Sequence, residues 1–362
     1  MAKNMDVSKI KISDLNKDLY NRIREGWDSV AKPLDSLGEF EDIIAKIGSI
    51  NGTVTPDISK RALIIMCADN GIVNEGISQS GQDVTRSVAG WMGKRKSSVC
   101  VMAENSGVDI IPVDIGINME GTPEGVLDRK IRRGTGNFIE EPAMTMEELN
   151  RAIGTGMEVA GECRERGYKI LATGEMGIGN TTTSAAVCAA ILKLHAEDVT
   201  GRGAGLCDEG LVRKVAVIKA GIDKYGLADI KYDVDGEAGI KRIMSTVGGL
   251  DIAGLTGIFM GGAVYGIPVI IDGFISAVAA LCAQRLLPGA SQYMICSHIG
   301  REPGMRIVLD ELGLKPVICG DLALGEGTGA IMMFPLLDMA LNLYTNGLRF
   351  RDTEVEQYKH LI

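Results

Sequence analysis

Residues 169–183 read Lys-Ile-Leu-Ala-Thr-Gly-Glu-Met-Gly-Ile-Gly-Asn-Thr-Thr-Thr. The first part is a short apolar run typical of a buried strand, and the last part is the hydroxyl-rich start of a helix. The glycines between them permit positive φ angles and let backbone N–H groups approach a ligand closely. A strand, a glycine-rich turn and a helix N-terminus in this order predict an α/β fold with an anion-binding turn.

The turn does not match the common nucleotide-binding motifs. It has no Gly-Lys-Ser/Thr and no G-x-G-x-x-G spacing, so a nucleoside triphosphate, a dinucleotide and an NAD-dependent oxidoreductase are all disfavoured. Glu175 is unusual here, because a carboxylate beside a phosphate is repelled unless it holds another group, such as ribose hydroxyls. A plain glycine turn capped by threonine remains the alternative.

Composition limits the class of protein. With 362 residues, of which 46% are hydrophobic, the chain can bury a large core. A net charge of −9 and few aromatic residues argue against nucleic acid and favour a small-molecule partner. The eight cysteines form no C-x-x-C motif, and no histidine spacing suggests a metal, so we expect neither metal nor cofactor.

Two segments bear on location. The polar N-terminus has no apolar signal region, which predicts a cytoplasmic protein. Residues 252–271 carry no charge, but they contain several glycines and a proline, which favours a buried helix, turn and strand over a membrane span.

The chain divides by pattern at about residue 60. Residues 1–60 have charged helical patterning and suggest a separate helical piece, to which residues 349–360 return as a solvated helix. From residue 61, short β-branched runs alternate with helices, as in β-α-β units. Six buried strands are predicted, at 62–68, 109–113, 169–172, 267–271, 293–296 and 316–319.

Each predicted strand ends near a polar residue. Because ligands of open parallel sheets bind outside the carboxyl ends of the strands, these residues predict the edge that holds the site. Any one of them could instead be a helix N-cap. The residues are Asp69, Asp114, Glu175, Asp272, Ser297 with His298, and Asp321.

A second glycine-rich turn lies in residues 322–334. Its carboxylate, Glu326, stands between Gly325 and Gly327, protrudes with little side-chain cover and is a candidate general base. A helix N-cap or first-turn acid is the alternative. A third glycine group, 201–205, precedes a helix whose Lys214 could supply a cation to the phosphate or be an ordinary surface charge.

Taken together, these stretches resemble the nicotinate-nucleotide:dimethylbenzimidazole phosphoribosyltransferase family over nearly the whole chain. Seven ordered matches carry the resemblance and are far more specific than one glycine turn. They lie at residues 32–38, 67–78, 174–182, 201–206, 272–275, 297–304 and 324–330.

The resemblance implies a homodimeric enzyme with a Rossmann-like, mostly parallel sheet and flanking helices in residues 61–339. A smaller helical domain would combine residues 1–60 with residues 340–362. The enzyme would move the 5-phosphoribosyl group of nicotinate mononucleotide onto 5,6-dimethylbenzimidazole or a related benzimidazole. The products would be an α-ribazole phosphate-type nucleotide and nicotinate, in cobamide (cobalamin) nucleotide-loop assembly. A low-activity subunit that forms a heterodimer with a paralogue is the alternative.

The resemblance also implies residue roles. Glu326 would be the general base on the acceptor, and Gln82, Met176 and Leu324 would line the acceptor pocket, with Ser80 and Gly325 beside them. The donor phosphate and ribose would bind Lys214 and the turn residues Glu175, Met176, Gly177, Ile178, Gly179, Asn180, Thr181 and Thr182.

Departures from the family pattern leave the acceptor open. Asn70 stands where many relatives have histidine, and residues 78–82 lack the usual aromatic residue and proline. Phenol or p-cresol is therefore the alternative acceptor.

Overall fold

The computed structural model describes residues 12–360, and its centre is a six-stranded sheet with the order β3-β2-β1-β4-β5-β6. All neighbouring strands are parallel. This order is that of a doubly wound Rossmann sheet, so the predicted α/β class is confirmed. The strands are β1 (Arg61–Ala68), β2 (Val108–Gly116), β3 (Leu127–Asp128), β4 (Ile170–Met176), β5 (Val269–Ile271) and β6 (Met294–Cys296).

Helices cover both faces of the sheet, which is why β1 is an almost unbroken buried apolar run. The helices of residues 12–360 are α1 (Lys17–Asp28), α2 (Glu39–Asn51), α3 (Asp83–Gly93), α4 (Ser98–Ala103), α5 (Met146–Glu165), α6 (Asn180–Leu192), α7 (Ala196–Val199), α8 (Asp208–Lys224), α9 (Tyr232–Val247), α10 (Leu250–Tyr265), α11 (Phe274–Leu286), α12 (Gly304–Leu312) and α13 (Thr328–Asn346).

The uncharged run 252–271 forms α10, a turn and β5, as predicted. Glycines let α10 pack directly on α5, since a Cβ on Gly156 would lie 2.0 Å from the Gly254 carbonyl oxygen. Within residues 12–360, no helix combines the length and the apolar character that crossing a bilayer requires.

Five of the six predicted strands belong to the central sheet, but the sixth does not. Residues 318–322 form β8 (Ile318–Leu322), which pairs with β7 (His298–Gly300) in a separate two-stranded sheet. The sixth place in the central sheet belongs to the edge strand β3, whose two residues are too few to show a sequence pattern. Asp321 is consequently exposed in the small sheet and is not at the edge of the large one.

The described ends of the chain pack together. Trp27 of α1 contacts Tyr344 of α13 with ring centroids 5.1 Å apart, and both share a core with α2 and one face of the sheet. The predicted helix at 349–360 is wrong. That segment has a 3-10 turn at Phe350–Asp352 and then irregular backbone, because Val355 and Tyr358 are exposed and no apolar stripe is buried.

The segment does return to the N-terminal helices, since Arg349 pairs with Val30 in an antiparallel bridge. The division into two domains stays a prediction. Residues 1–11 and 361–362, which belong to its helical piece, and the polar N-terminal stretch lie outside the described residues.

Candidate active site

A cavity of about 330 Å³ opens at the carboxyl ends of β4 and β5, between the N-termini of α6 and α13. In a sheet of this order, the ligand crevice is expected where the strand order reverses, beside β1 and β4. Ten of the residues predicted for the site line this cavity: Ser80, Glu175, Met176, Gly177, Ile178, Asn180, Thr181, Leu324, Gly325 and Glu326.

Four other predicted residues do not line its wall. Gly179 lines a smaller recess of about 70 Å³, which shares residues 177, 178, 180 and 181 with the cavity. Lys214 lies behind Thr181, and Thr182 is fully buried in the first turn of α6. Gln82 is half-buried and accepts a hydrogen bond from Asn118 Nδ2 at 2.7 Å.

The N-terminus of α6 carries the donors of the site. Gly179 precedes the helix with φ 96°, a left-handed conformation that glycine adopts without strain. Lys214 is buried, and its Nζ donates to Thr181 Oγ1 at 2.8 Å and to the Gly201 carbonyl at 3.0 Å. Burial lowers the pKa of Lys214 to about 8, against the opposing charge of Glu302. An ammonium, a hydroxyl and helix N–H groups thus converge where an anion would bind.

Glu175 is held by an amide that it shares with a second carboxyl group. Asn180 Nδ2 donates to Glu175 Oε2 and also to Asp251 Oδ2, the latter at 2.9 Å. Burial, together with the neighbouring Asp251, Asp272 and Glu326, raises the pKa of Glu175 to about 8, against the opposing effect of the Asn180 hydrogen bond. At neutral pH the group is mainly a neutral acid, so the repulsion of a phosphate expected for a carboxylate is relieved.

Glu326 also lines the cavity, in the turn before α13. Its φ of 61° is left-handed, and its Oε2 accepts a hydrogen bond from the Val99 N–H at 3.2 Å. Val99 lies in the first turn of α4, where a carboxylate is favoured by the helix dipole. The two carboxylate turns touch, since a Cβ on Gly325 would lie 2.7 Å from Glu175 Oε1.

The polar strand ends divide into two groups. Glu175, Asp272 and His298 line the cavity. Asp69 and Asp114 instead accept hydrogen bonds from the loop after β2, through the N–H groups of Asn118 and Ile117. Of the six predicted strand ends, three thus converge on the cavity as expected, whereas Asp69 and Asp114 anchor a loop and Asp321 lies in the small sheet.

Two residues that contribute to the site were not predicted from the sequence. Asp251 begins α10, and its only sequence signal is a single carboxylate ahead of a long uncharged run. Val99, the backbone donor to Glu326, has no sequence signal, because any residue except proline provides an N–H. Among the described residues, Asp28, Asp35 and His360 are close enough for a metal ion, but none of them lines the cavity.

Comparison with known proteins agrees with this arrangement. A family model described as "Phosphoribosyltransferase" (DBI_PRT) matches residues 12–355. The nicotinate-nucleotide–dimethylbenzimidazole phosphoribosyltransferase of Acetivibrio thermocellus is 44% identical over 348 residues, covering 96% of this chain and 97% of the relative. The chain belongs to this phosphoribosyltransferase family. The family resemblance drawn from the sequence motifs is confirmed.

Other members show the same extent of similarity. The relative of the same name from Ruminiclostridium cellulolyticum is 40% identical over 350 residues, covering 97% of each chain. The crystal structure of CobT from Thermus thermophilus superposes with a TM-score of 0.86 at 35% identity, covering 94% of this chain and all of that one. The phosphoribosyltransferase fold thus extends over nearly the whole of this chain.

Proposed function

We propose that this protein transfers the 5-phosphoribosyl group of nicotinate mononucleotide to an aromatic lower-ligand base in cobamide nucleotide-loop assembly. The observation that carries the proposal is that Glu326 and the N-terminus of α6 line one cavity. Glu326 offers a base, and the N-terminus of α6 offers donors for a phosphate. The printed names of the relatives, which specify nicotinate nucleotide and dimethylbenzimidazole, support this pair of substrates.

The donor phosphate binds at the N-terminus of α6, with the Thr181 hydroxyl and the Lys214 ammonium beside it. Gly177, Ile178 and Gly179 bring the backbone to the phosphate, while Glu175 faces the ribose as a neutral acid. The phosphate does not react. Its binding energy instead holds C1′ against the acceptor, which is worth several orders of magnitude in rate.

The acceptor lies beside Leu324 and Met176, with Ser80 at the rim and Glu326 within the same wall. An azole nitrogen attacks C1′ while the C1′–pyridinium bond breaks, and the bonding electron pair moves to the nitrogen of nicotinate. The leaving nitrogen therefore needs no proton, but the azole must lose one, and Glu326 takes it. Attack opposite the leaving group inverts C1′ and gives the α-nucleotide. Neither a metal nor a cofactor is needed in these steps.

Release of nicotinate tests the proposal directly. The purified protein is incubated with nicotinate mononucleotide and one acceptor in each reaction. The acceptors are dimethylbenzimidazole, benzimidazole, phenol and p-cresol. Formation of nicotinate together with an azole nucleotide supports the proposed reaction, and formation of a phenolic nucleotide selects the alternative acceptor. Donor binding without turnover would favour the low-activity subunit. Absence of both binding and turnover would contradict the proposal.

We further propose a cytoplasmic homodimer. An exposed apolar stripe runs along α13 through Met332, Met339 and Leu343, and Val101 and Met102 of α4 extend it. An apolar surface of this kind is typical of an interface between subunits. Light scattering of the purified chain gives its mass. A dimer supports the proposal, whereas a monomer that becomes active only with a paralogue supports the heterodimer.

A further inference from the structure

His298 is a buried polar group for which the proposed mechanism has no role. It begins β7 and is 4% exposed, yet it lines the cavity. Three glycines surround the ring. A Cβ on Gly329 would lie 2.1 Å from Nδ1, whereas Cβ atoms on Gly273 and Gly300 would lie 3.8 Å and 3.7 Å from Nε2. Gly273 and Gly300 line the cavity, so Nε2 points toward it.

Hydrogen-bond accounting determines the tautomer of this ring. Ser297 Oγ lies 2.6 Å from the Ile271 carbonyl oxygen, and a carbonyl cannot donate, so the hydroxyl proton lies between these two oxygens. The same Oγ is 2.9 Å from His298 Nδ1. Because its proton is already used, Oγ accepts there, and Nδ1 carries the hydrogen.

The other ring nitrogen is therefore an unprotonated acceptor. Burial lowers the pKa of His298, and the attraction of Asp272 only partly opposes this shift. The ring is therefore mainly neutral. Within residues 12–360, no protein group makes a hydrogen bond with Nε2; the one side-chain bond of His298 is that of Nδ1 to Ser297. Nε2 thus presents a directed lone pair to the cavity, where a ligand that donates a hydrogen bond can meet it.

The position of His298 indicates which part of the donor it meets. At one end, its ring packs on Gly329, three residues after Glu326. At the other end of the segment 298–302, Glu302 Oε1 accepts from the Gly203 N–H at 3.1 Å, and a Cβ on Gly203 would lie 3.5 Å from Lys214 Nζ. The segment thus runs along the cavity from the proposed base to the proposed phosphate site. The ribose must occupy the space between them.

We propose that His298 Nε2 accepts a hydrogen bond from a ribose hydroxyl of the phosphoribosyl donor. This inference rests on the proposed function. The phosphate and carboxylate of nicotinate mononucleotide are acceptors and would be repelled by the lone pair. The N–H of the acceptor base gives its proton to Glu326. The two ribose hydroxyls are the remaining donors, and one of them meets the ring.

A matched pair of substitutions tests the assignment. In His298→Asn the side-chain amide remains at the Nδ1 position and can still donate to Ser297, but nothing replaces Nε2. In His298→Gln the amide reaches the Nε2 position and can present an oxygen there. His195→Asn, at an exposed histidine before α7, is the control for the substitution itself.

The readout is donor affinity, measured by calorimetry without acceptor for nicotinate mononucleotide and its 2′-deoxy and 3′-deoxy analogues. We expect wild type to bind one analogue about tenfold more weakly than the parent compound, the usual cost of one lost hydrogen bond. His298→Asn should bind nicotinate mononucleotide about tenfold more weakly than wild type does. It should bind nicotinate mononucleotide and that deoxy analogue equally well. His298→Gln should restore part of the distinction.

Two results separate the possible failures. If His298→Asn retains the full deoxygenation penalty, whether or not overall affinity falls, the hydroxyl is bound elsewhere and this inference is wrong while the proposed function stands. If wild type neither binds nicotinate mononucleotide nor releases nicotinate from it, the proposed function fails and this assignment fails with it. Thermal melting of each variant shows that the affinities refer to folded protein.

Discussion

The turn before α6 and the turn before α13 share one sequence pattern, in which a carboxylate stands among glycines and a threonine lies in the first helical turn. In both, a glycine with left-handed φ precedes the helix: 96° at Gly179 and 91° at Gly327. Both turns border the same cavity. Pattern alone would assign them the same task, namely anion binding at a helix N-terminus.

The environment gives the two turns different tasks. The N-terminus of α13 already holds a carboxyl group of the protein itself, because Asp272 Oδ1 accepts from the Ala330 N–H at 3.0 Å. Among the described residues, no carboxylate accepts from the first-turn N–H groups of α6. Asp251 and Glu175 accept from the Asn180 side chain instead, and the ammonium of Lys214 lies beside Thr181. We therefore expect a helix N-terminus to bind a ligand anion only where the rest of the fold leaves its N–H groups free. The second turn is left to present Glu326.

The largest effect should follow from removing the base of the α13 turn. We expect Glu326→Gln to bind nicotinate mononucleotide normally and to lower kcat by about two to four orders of magnitude, the range for loss of a general base. Steady-state kinetics with benzimidazole as the acceptor measures this decrease in kcat. Asp321→Asn is the control, because Asp321 also has left-handed φ but is exposed and does not line the cavity. A near-wild-type rate for Glu326→Gln would remove this residue from the role.

Much of this comparison was predictable from the sequence, because both turns are local. Strand, glycines and helix start follow one another along the chain, so residues 169–183 indicate their structure without reference to any other segment. The same holds for β1, of whose eight residues seven are buried by helices on both faces. Local pattern also placed Glu175 and Glu326 at one edge of the sheet.

The features that could not be predicted depend on contacts between residues far apart in the sequence. Asp272 occupies the N-terminus of α13 from 58 positions away, and no periodicity encodes such a partner. Residues 316–319 have the apolar pattern of a central strand, but pattern does not specify which strand they pair with. Lys214 was expected as a cation, yet its burial behind Thr181 is a tertiary property.

The next effect concerns the acceptor, which we propose lies beside the α13 turn. Leu324 is 57% exposed and Ser80 is small, so the wall near Glu326 is open. An apolar wall distinguishes one methyl group by only about 1–3 kcal/mol. We expect benzimidazole and 5,6-dimethylbenzimidazole to differ by roughly 100-fold or less in kcat/KM. Competition between equimolar acceptors measures the ratio, and a preference of several thousand-fold, well above that limit, would contradict an open pocket.

A smaller effect should separate the α6 turn from the α13 turn. Gly179→Ala places a Cβ at φ 96°, 3.2 Å from the Asn70 Cβ, so the turn must shift away from its donor-binding geometry. We expect nicotinate mononucleotide to bind about tenfold more weakly, with about 1–2 kcal/mol of stability lost to backbone strain.

Gly167→Ala is the matched control for that variant. Gly167 has φ 83°, with no atom within 4 Å of an added Cβ, and it does not line the cavity. It should lose similar stability while its donor affinity stays unchanged. If both folded variants bind nicotinate mononucleotide equally well, the phosphate site would have to be assigned to the neighbouring residues 201–205.

The last effect concerns the carboxyl groups of the two turns, of which Glu175 has a strongly raised pKa. Its pKa rises from an ordinary 4.5 in the unfolded chain to about 8 in the fold, so the folded state binds more protons between these values. Stability from this group is therefore complete below pH 4.5 and is lost as the pH rises through about 8. Asp251, whose pKa burial raises to about 6, contributes mainly at lower pH.

Glu175→Gln tests this assignment, because the amide keeps the shape and the acceptor oxygen for Asn180 but does not titrate. Denaturant unfolding at pH 6.5 and 7.5 should show wild type losing about 1 kcal/mol relative to the variant, since each pH unit between the two pKa values costs about 1.4 kcal/mol. Glu197→Gln, on the exposed helix α7, should follow wild type. Parallel curves for wild type and Glu175→Gln would mean that Glu175 is ionised in the fold. The α6 turn would then place a charged carboxylate beside its anion, and the difference between the two turns would have to come from Asp272 alone.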